Sequence, residues 1–241
     1  MASHSHVLIV GDGDVDGGEL VTLARQSAAA ERPLVVAADG GAARCRSAGV
    51  QPDIVIGDFD SLAPDERVRL EGLGVEVRAV DRDKDESDME LCVMWAQRAG
   101  ATRVTILGAL GVVRPEHSIA NLLLLADPRL DGMEVAILGR GSRITRIGRA
   151  GEPGQMTIEG EPGDLVSLFP LGAAAFGVTT TGLRFPLQGE GLPLGPSRGL
   201  SNELLGARAG VSTQRGCLLV VHTAGHVQQR SEPADPTMGG T

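Results

Sequence analysis

The chain is poor in aromatic residues: they make up 2% of it, with four Phe, a single Trp (Trp95) and no Tyr. Ring platforms for stacking bases in series are therefore scarce, which argues against a single-stranded nucleic-acid surface. A net charge of −9 points the same way, because nucleic-acid binders present a basic face. The three cysteines, Cys45, Cys92 and Cys217, are far apart, odd in number and without zinc-ligand spacing. No disulfide framework or zinc site is expected, and buried free thiols are. No apolar run is long enough to span a bilayer, so no membrane partner is expected. Met1 to His6 carries no Lys or Arg and no secretory leader opens the chain, so the expected location is the cytoplasm. There is no G-x-x-x-x-G-K-[ST] phosphate loop and no G-x-G-x-x-G after the first apolar run. Gly11-Asp-Gly13 is followed by Asp14 and Asp16, whose charge would repel a pyrophosphate. Neither an internal repeat nor a Ser-His-Asp or Cys-His constellation is present.

What is present is ample core. With 241 residues, 42% of them hydrophobic, the chain can form one large domain or two modest ones without staples. Up to about residue 148, apolar runs of strand length alternate with helix-period segments. Strands are expected at 6–10, 33–38, 53–56, 75–80, 103–107 and 133–138, and helices at 18–30, 42–48, 64–73, 89–99 and 118–125. That alternation predicts an α/β domain, a mostly parallel sheet with helices on both faces. Beyond residue 148 Gly and Pro become dense and helical periodicity fades. Strands at 156–158, 165–169, 175–180 and 217–222 predict a smaller, all-β, sandwich-like domain. The expected division is 1–148, 149–226, and a loose polar tail from 227 to 241.

The chemistry concentrates in acidic groups at expected strand ends. The run Asp53-Ile-Val-Ile-Gly-Asp58-Phe-Asp60 ends a strand with two carboxylates two residues apart, on one side if the backbone stays extended. Such a pair repels itself unless a cation lies between, and Mg2+ carrying a polyphosphate is the usual occupant. Asp39 follows the second strand inside Asp-Gly-Gly, where Gly40 and Gly41 let backbone approach a ligand closely. Asp85 and Asp88 precede a helix, three residues apart, and Ser87 or Asp85 is placed to cap it. In open α/β sheets ligands bind beyond the carboxyl ends of the strands, so all five carboxylates point to one metal-binding rim. His117 and Asn121, four apart on a helix, face the same rim with Arg114 and Glu116 beside them.

In this order the motifs resemble the thiamine pyrophosphokinases. The resemblance rests on Ala38-Asp-Gly-Gly-Ala42, Pro52-Asp-Ile-Val-Ile-Gly-Asp-Phe-Asp-Ser61, Asp83-Lys-Asp-Glu-Ser-Asp88 with Glu90, and His117-Ser-Ile-Ala-Asn121. It continues in Val166-Ser-Leu-Phe-Pro170, Gly177-Val-Thr-Thr-Thr-Gly-Leu183 and Gly199-Leu-Ser-Asn-Glu203, and spans about residues 7–222. The resemblance implies an N-terminal α/β domain, a C-terminal β domain and a homodimer with a shared active site. It implies Mg2+-dependent transfer of pyrophosphate from ATP to the thiamine hydroxyl, giving thiamine diphosphate and AMP. By the same resemblance Asp58, Asp60 and Asp88 hold metal and phosphates, one of them orienting the attacking hydroxyl, with Asp85 a further candidate metal ligand. Asp39, Gly40, Gly41, Lys84, Ser87, Arg114, His117 and Asn121 would then contact ATP, while Glu116, Ser201 and Asn202 would contact thiamine.

The chain departs from the family pattern at one loop. Where Gly-Gly-Arg-x-Asp-His is usual, it has Gly111-Val-Val-Arg-Pro-Glu-His117, longer by a residue and short of a glycine. Valine does not readily adopt positive φ, and Glu116 adds a methylene where small displacements matter. Ser87 replaces the usual Thr, and the C-terminal half lacks a Trp. Two alternatives stay open at this point: a related pyrophosphokinase acting on another hydroxymethyl heterocycle such as a pterin, and a non-catalytic nucleotide or thiamine binder.

Overall fold

The computed structural model describes residues 5–26, 32–59, 64–111, 113–149 and 151–225; Asp60 and the tail from 227 lie outside the described residues. Residues group into two compact units, Met1–Gly139 and Arg140–Thr241, a division that falls earlier than the composition change near 148.

The first unit is the expected α/β domain. Six strands, β1 (His6–Val10), β2 (Leu34–Ala38), β3 (Ile54–Gly57), β4 (Glu76–Ala79), β5 (Arg103–Leu107) and β6 (Glu134–Gly139), form a sheet ordered β4-β3-β2-β1-β5-β6. All the pairings among them are parallel. Side chains alternate across the sheet. Leu8 and Val10 join Leu20 of α1 (Gly17–Arg25), Cys45 of α2 (Gly41–Ser47) and Leu70 of α3 (Pro64–Gly72) in one core cluster. On the opposite face α4 (Asp88–Arg98) packs against β1, β2 and β3 and touches α5 (Pro115–Leu124). Both faces are covered, which is why the strands read as continuous apolar runs rather than alternating ones. The order reverses between β1 and β5.

Two helix starts differ from expectation in ways that bear on function. Ser87 caps α4 by accepting the Glu90 N–H at 3.1 Å, so the helix begins at Asp88 and Asp85 lies outside it. The helix α5 begins at Pro115, not Ser118, because proline suits the first helical position; Glu116 and His117 therefore occupy its first turn. The third cue, helix α1, ends at Arg25 rather than residue 30.

The second unit is all β, as expected, with strands the sequence did not betray. Its pairings are antiparallel: β7 (Ser142–Ile147) lies on β13 (Arg215–Thr223), β13 on β9 (Leu165–Thr181), and β9 on β12 (Arg208–Thr213), which also pairs β8 (Gly154–Glu159). Short strands β10 (Gln188–Leu192) and β11 (Asn202–Glu203) also pair with β9. The two strands expected at 165–169 and 175–180 are one 17-residue strand. Its first part pairs β13 and its later part β10 and β12, with a register shift between Arg215 and Cys217 where it bends. Gly172 (φ 82°), in the gap expected between the two strands, and Gly177 (φ 65°) supply that bend. Val166, Leu168, Val178, Val211, Leu218 and Val220 are among the buried core. All three cysteines are buried and free; burial pushes the Cys45 thiol up to about 12, out of reach of ordinary thiolate chemistry. Among the described residues no helix is long and apolar enough to cross a membrane.

Asp164 anchors the turn before β9. It accepts the N–H of Glu161 at 3.0 Å and of Gly225 at 2.8 Å, and lies 2.8 Å from His222 Nε2. Burial pushes its carboxyl up, but the two N–H donors and His222 outweigh that and hold it below the usual carboxylate range. A carboxyl held lower in the folded chain stabilises the fold above its unfolded value and loses that contribution as pH falls through the folded value. Asp164→Asn is expected to lower stability by about 1–3 kcal/mol at neutral pH in urea denaturation. The gap to wild type closes in acid, below about pH 4; equal stability at pH 7 contradicts this role.

Candidate active site

The carboxyl ends of the parallel strands open onto a cleft of about 530 Å³. The loop after β1 contributes Asp12 and Asp14, the end of β2 Asp39 and Gly40, the end of β3 Asp58, the α4 start Lys84, Ser87 and Asp88, and the β5–α5 connection Arg114 and His117. Asp39, Asp58 and Asp88 each offer a carboxylate oxygen, and these lie within 4.8 Å of one another. Lys84 reaches into this cluster, with Nζ 3.7 Å from Asp58 Oδ2 and 3.1 Å from Asp88 Oδ1, the latter off the line of a good hydrogen bond. Burial pushes the Asp88 carboxyl above the usual range; Lys84 pulls it back, and Asp39 and Asp58 push it further up. A half-buried set of three carboxylates is a donor set that a hard divalent cation takes, so these oxygens fit Mg2+.

The backbone is bent to make this approach possible. Asp39 (φ 39°) and Phe59 (φ 57°) occupy the left-handed region that most L-residues avoid. Such strain clusters at functional sites. At Gly41 an added Cβ would stand 1.9 Å from the Val10 carbonyl oxygen, so only glycine lets α2 start against the end of β1. The loops after β1 and β5 are zipped together past the strands. Gly11 N–H donates to Leu107 O at 2.8 Å, Gly13 N–H to Gly108 O at 2.9 Å and Asp14 N–H to Leu110 O at 2.7 Å. Arg44 holds the first of these loops from α2, donating to the Asp12 carbonyl from Nη2 at 2.7 Å and pairing with its carboxylate at 3.2 Å. Buried Asn121 donates to Ala109 O at 2.8 Å, and Ser118 Oγ both accepts from Gly111 N–H and donates to Gly111 O, each at 3.0 Å.

In the second unit a smaller cleft of about 200 Å³ is lined by Leu168, Leu183, Phe185, Arg198, Leu200 and Asn202, among others. Asn202 grips Phe185 with both ends of its amide, accepting its N–H at 2.9 Å and donating to its O at 2.7 Å. Ser201 (φ 56°) donates its N–H to Ser167 Oγ at 3.0 Å. The Phe185 ring stays 58% exposed despite this clamp.

Two family models match the chain in order. "Thiamin pyrophosphokinase, catalytic domain" covers residues 26–137, and "Thiamin pyrophosphokinase, vitamin B1 binding domain" covers residues 155–218. The chain belongs to the thiamine pyrophosphokinase family. Relatives agree. The thiamine pyrophosphokinase of Bacillus subtilis (strain 168) is 27% identical over 194 residues, 80% of this chain and 88% of that protein. Thiamine pyrophosphokinase 1 of Oryza sativa subsp. japonica is 28% identical over 159 residues, 63% of this chain and 59% of that protein. The solved Bacillus subtilis thiamine pyrophosphokinase superposes with TM-score 0.77 at 25% identity, covering 91% of this chain and 99% of that one. The Candida albicans thiamin pyrophosphokinase shares the fold at TM-score 0.77 and 14% identity, covering 92% and 89%.

Within this thiamine pyrophosphokinase family member, the structure brings Asp39, Asp58, Asp88 and Lys84 to one point and sets Gly40, Ser87, Arg114, His117 and Asn121 around the same cleft. Gly41 starts the helix behind it. Asp85 is exposed and outside the carboxylate group, and Asp60 lies outside the described residues. Asp39, expected beside the nucleotide, stands with the metal-type carboxylates. Arg114 and Glu116 are exposed and pair with each other at 2.8 Å. Asn121 spends its amide on Ala109, holding the β5–α5 loop. Sequence reasoning missed Asp12, Arg44 and Phe185. The Asp14 and Asp16 charges had been read only as a deterrent to phosphate, and nothing local signals that an arginine on α2 secures Asp12. Gly41→Ala is expected to cost about 2–3 kcal/mol through overpacking against Val10, measured by thermal or chemical denaturation; a neutral substitution contradicts the close approach.

Proposed function

We propose that this chain transfers a pyrophosphoryl group from ATP to the hydroxyl of thiamine, yielding thiamine diphosphate and AMP, with Mg2+ as the metal. The single observation that carries the reading is the convergence of Asp39, Asp58 and Asp88 with Lys84 beyond the carboxyl ends of the neighbouring parallel strands β2 and β3, inside the region matched by the catalytic-domain model. Bound Mg2+ supplies neutralisation of the charge that develops on the phosphate oxygens. The protein's own part is positioning. Asp58 and Asp88 hold the cation, Asp39 closes the group, and Lys84 donates to phosphate oxygens. Gly40 gives room for the triphosphate, and the loop clamped by Ser118 and Asn121 carries Arg114 and His117 to the cleft mouth. Asp60, by its place in the motif, joins the metal-binding set. A carboxylate within reach of the thiamine hydroxyl serves as general base, worth on the order of 10²–10⁴-fold.

In this reading Ser201, Asn202 and Phe185 receive thiamine. Phe185 provides the exposed ring that the absent Trp would otherwise supply, and Asn202 fixes that ring's backbone at both ends. The acceptor site is completed across a homodimer in the cytoplasm, with Glu116 on the thiamine side. The pterin and non-catalytic readings draw no support from either matched family model.

Purified protein incubated with thiamine, ATP and Mg2+ is expected to release AMP and thiamine diphosphate in equal amounts by chromatography, and to stop when EDTA is added. Asp58→Asn and Asp88→Asn are each expected to lose at least about 100-fold in kcat while their circular dichroism stays that of wild type. Near-normal turnover in either variant removes the metal-site assignment.

A further inference from the structure

Lys84 stands where a metal-binding site would not be expected to tolerate a cation. Its Nζ is 3.7 Å from Asp58 and 3.1 Å from Asp88, and its side chain is only 14% exposed. A lysine ammonium is a compact, strongly hydrated point charge, and it gives up water only where anions replace it. Here the anions are the carboxylates that would receive a divalent ion. A bare divalent ion entering among Asp39, Asp58 and Asp88 would meet this ammonium within a few ångströms, in a partly desolvated cleft where repulsion is poorly screened. A divalent ion arriving as a nucleotide chelate brings its own acceptors. The triphosphate oxygens can take over the ammonium donors as the carboxylates turn to the metal.

We infer that Lys84 is an internal counter-ion that keeps bare divalent cations out of the Asp39–Asp58–Asp88 group and passes to the phosphates when the metal enters as a chelate. Metal and nucleotide then bind as one ligand, and in the free protein the ammonium offsets part of the carboxylates' charge. The inference rests on the proposed function for the identity of the chelate. It assigns Lys84 a positioning role that an ordinary structural ion pair would not have. Removing a structural pair would loosen the cluster and weaken every ligand alike. Removing a counter-ion that competes with metal strengthens binding of the bare ion and weakens binding of the chelate.

The test is a Mn2+ titration of the full-length protein followed by the electron paramagnetic resonance of free Mn2+, with and without the α,β-methylene analogue of ATP. Lys84→Met is expected to bind Mn2+ alone at least about tenfold more tightly than wild type and the Mn2+–analogue chelate at least about tenfold more weakly. Adding Asp58→Ala to Lys84→Met should abolish the gain, which places it at this cluster. Should Lys84→Met fail to fold by circular dichroism, Lys84→Gln carries the same comparison. Equal or weaker binding of Mn2+ alone by the lysine variant overturns the inference, as does a gain that survives Asp58→Ala. The titration reads no turnover, so its failure leaves thiamine diphosphate formation standing, and failure of that reaction leaves the titration standing.

Discussion

Mutual repulsion among three carboxylates gathered within 4.8 Å is the constraint on which the α/β unit is arranged. Each comes from a different segment, so no local sequence could gather them. The parallel strands point their carboxyl ends to one side, and Asp39 and Asp58 follow the neighbouring strands β2 and β3. The carboxylates reach one another because Asp39 accepts a left-handed backbone conformation and because Gly41 lets α2 begin against β1. Burial then raises the cost of their charge, and Lys84 offsets part of it. The free protein thus holds electrostatic stress that the proposed metal-bound triphosphate would relieve. That is the form binding energy takes when a site is shaped for a highly charged ligand.

The two units divide the chemistry. The first concentrates charge and rigid loops, suited to phosphate. The second is an antiparallel β unit whose small cleft combines leucines with one exposed ring and an amide held at both ends. Phe185 is exposed, as Phe169 and Phe176 are, with the Arg184 guanidinium 5.5 Å over its ring and Asn202 holding its backbone.

Much of this was legible in the sequence. Strand β5 was read to the residue and β1 likewise, because buried parallel strands are bounded by glycine and polar residues. The α/β and β halves followed from the change in period. What was not legible has identifiable causes. Strand β7 carries arginines at 143 and 146 that obscure its alternation, and β9 holds Pro170 and Gly172 that imitate a chain break. The start of α5 was placed late because its apolar pattern begins after Pro115. In the site, Asp58, Asp88 and Lys84 were visible through their motifs. Asp39 was read onto the same rim because it too follows a strand, but its membership of the tight group with Asp58 and Asp88 was not legible. Nor was the exclusion of Asp85 from the carboxylate group, which depends on Ser87, not Asp85, capping α4.

The central claim is that this carboxylate group holds the metal of a metal–nucleotide chelate. Anomalous diffraction from crystals grown with Mn2+ and a non-hydrolysable ATP analogue tests it most directly. The account predicts a manganese peak in direct contact with carboxylate oxygens of Asp58 and Asp88 and with phosphate oxygens of the analogue. A manganese ion bound by the phosphates alone, with Lys84 still seated between the two aspartates, would contradict it.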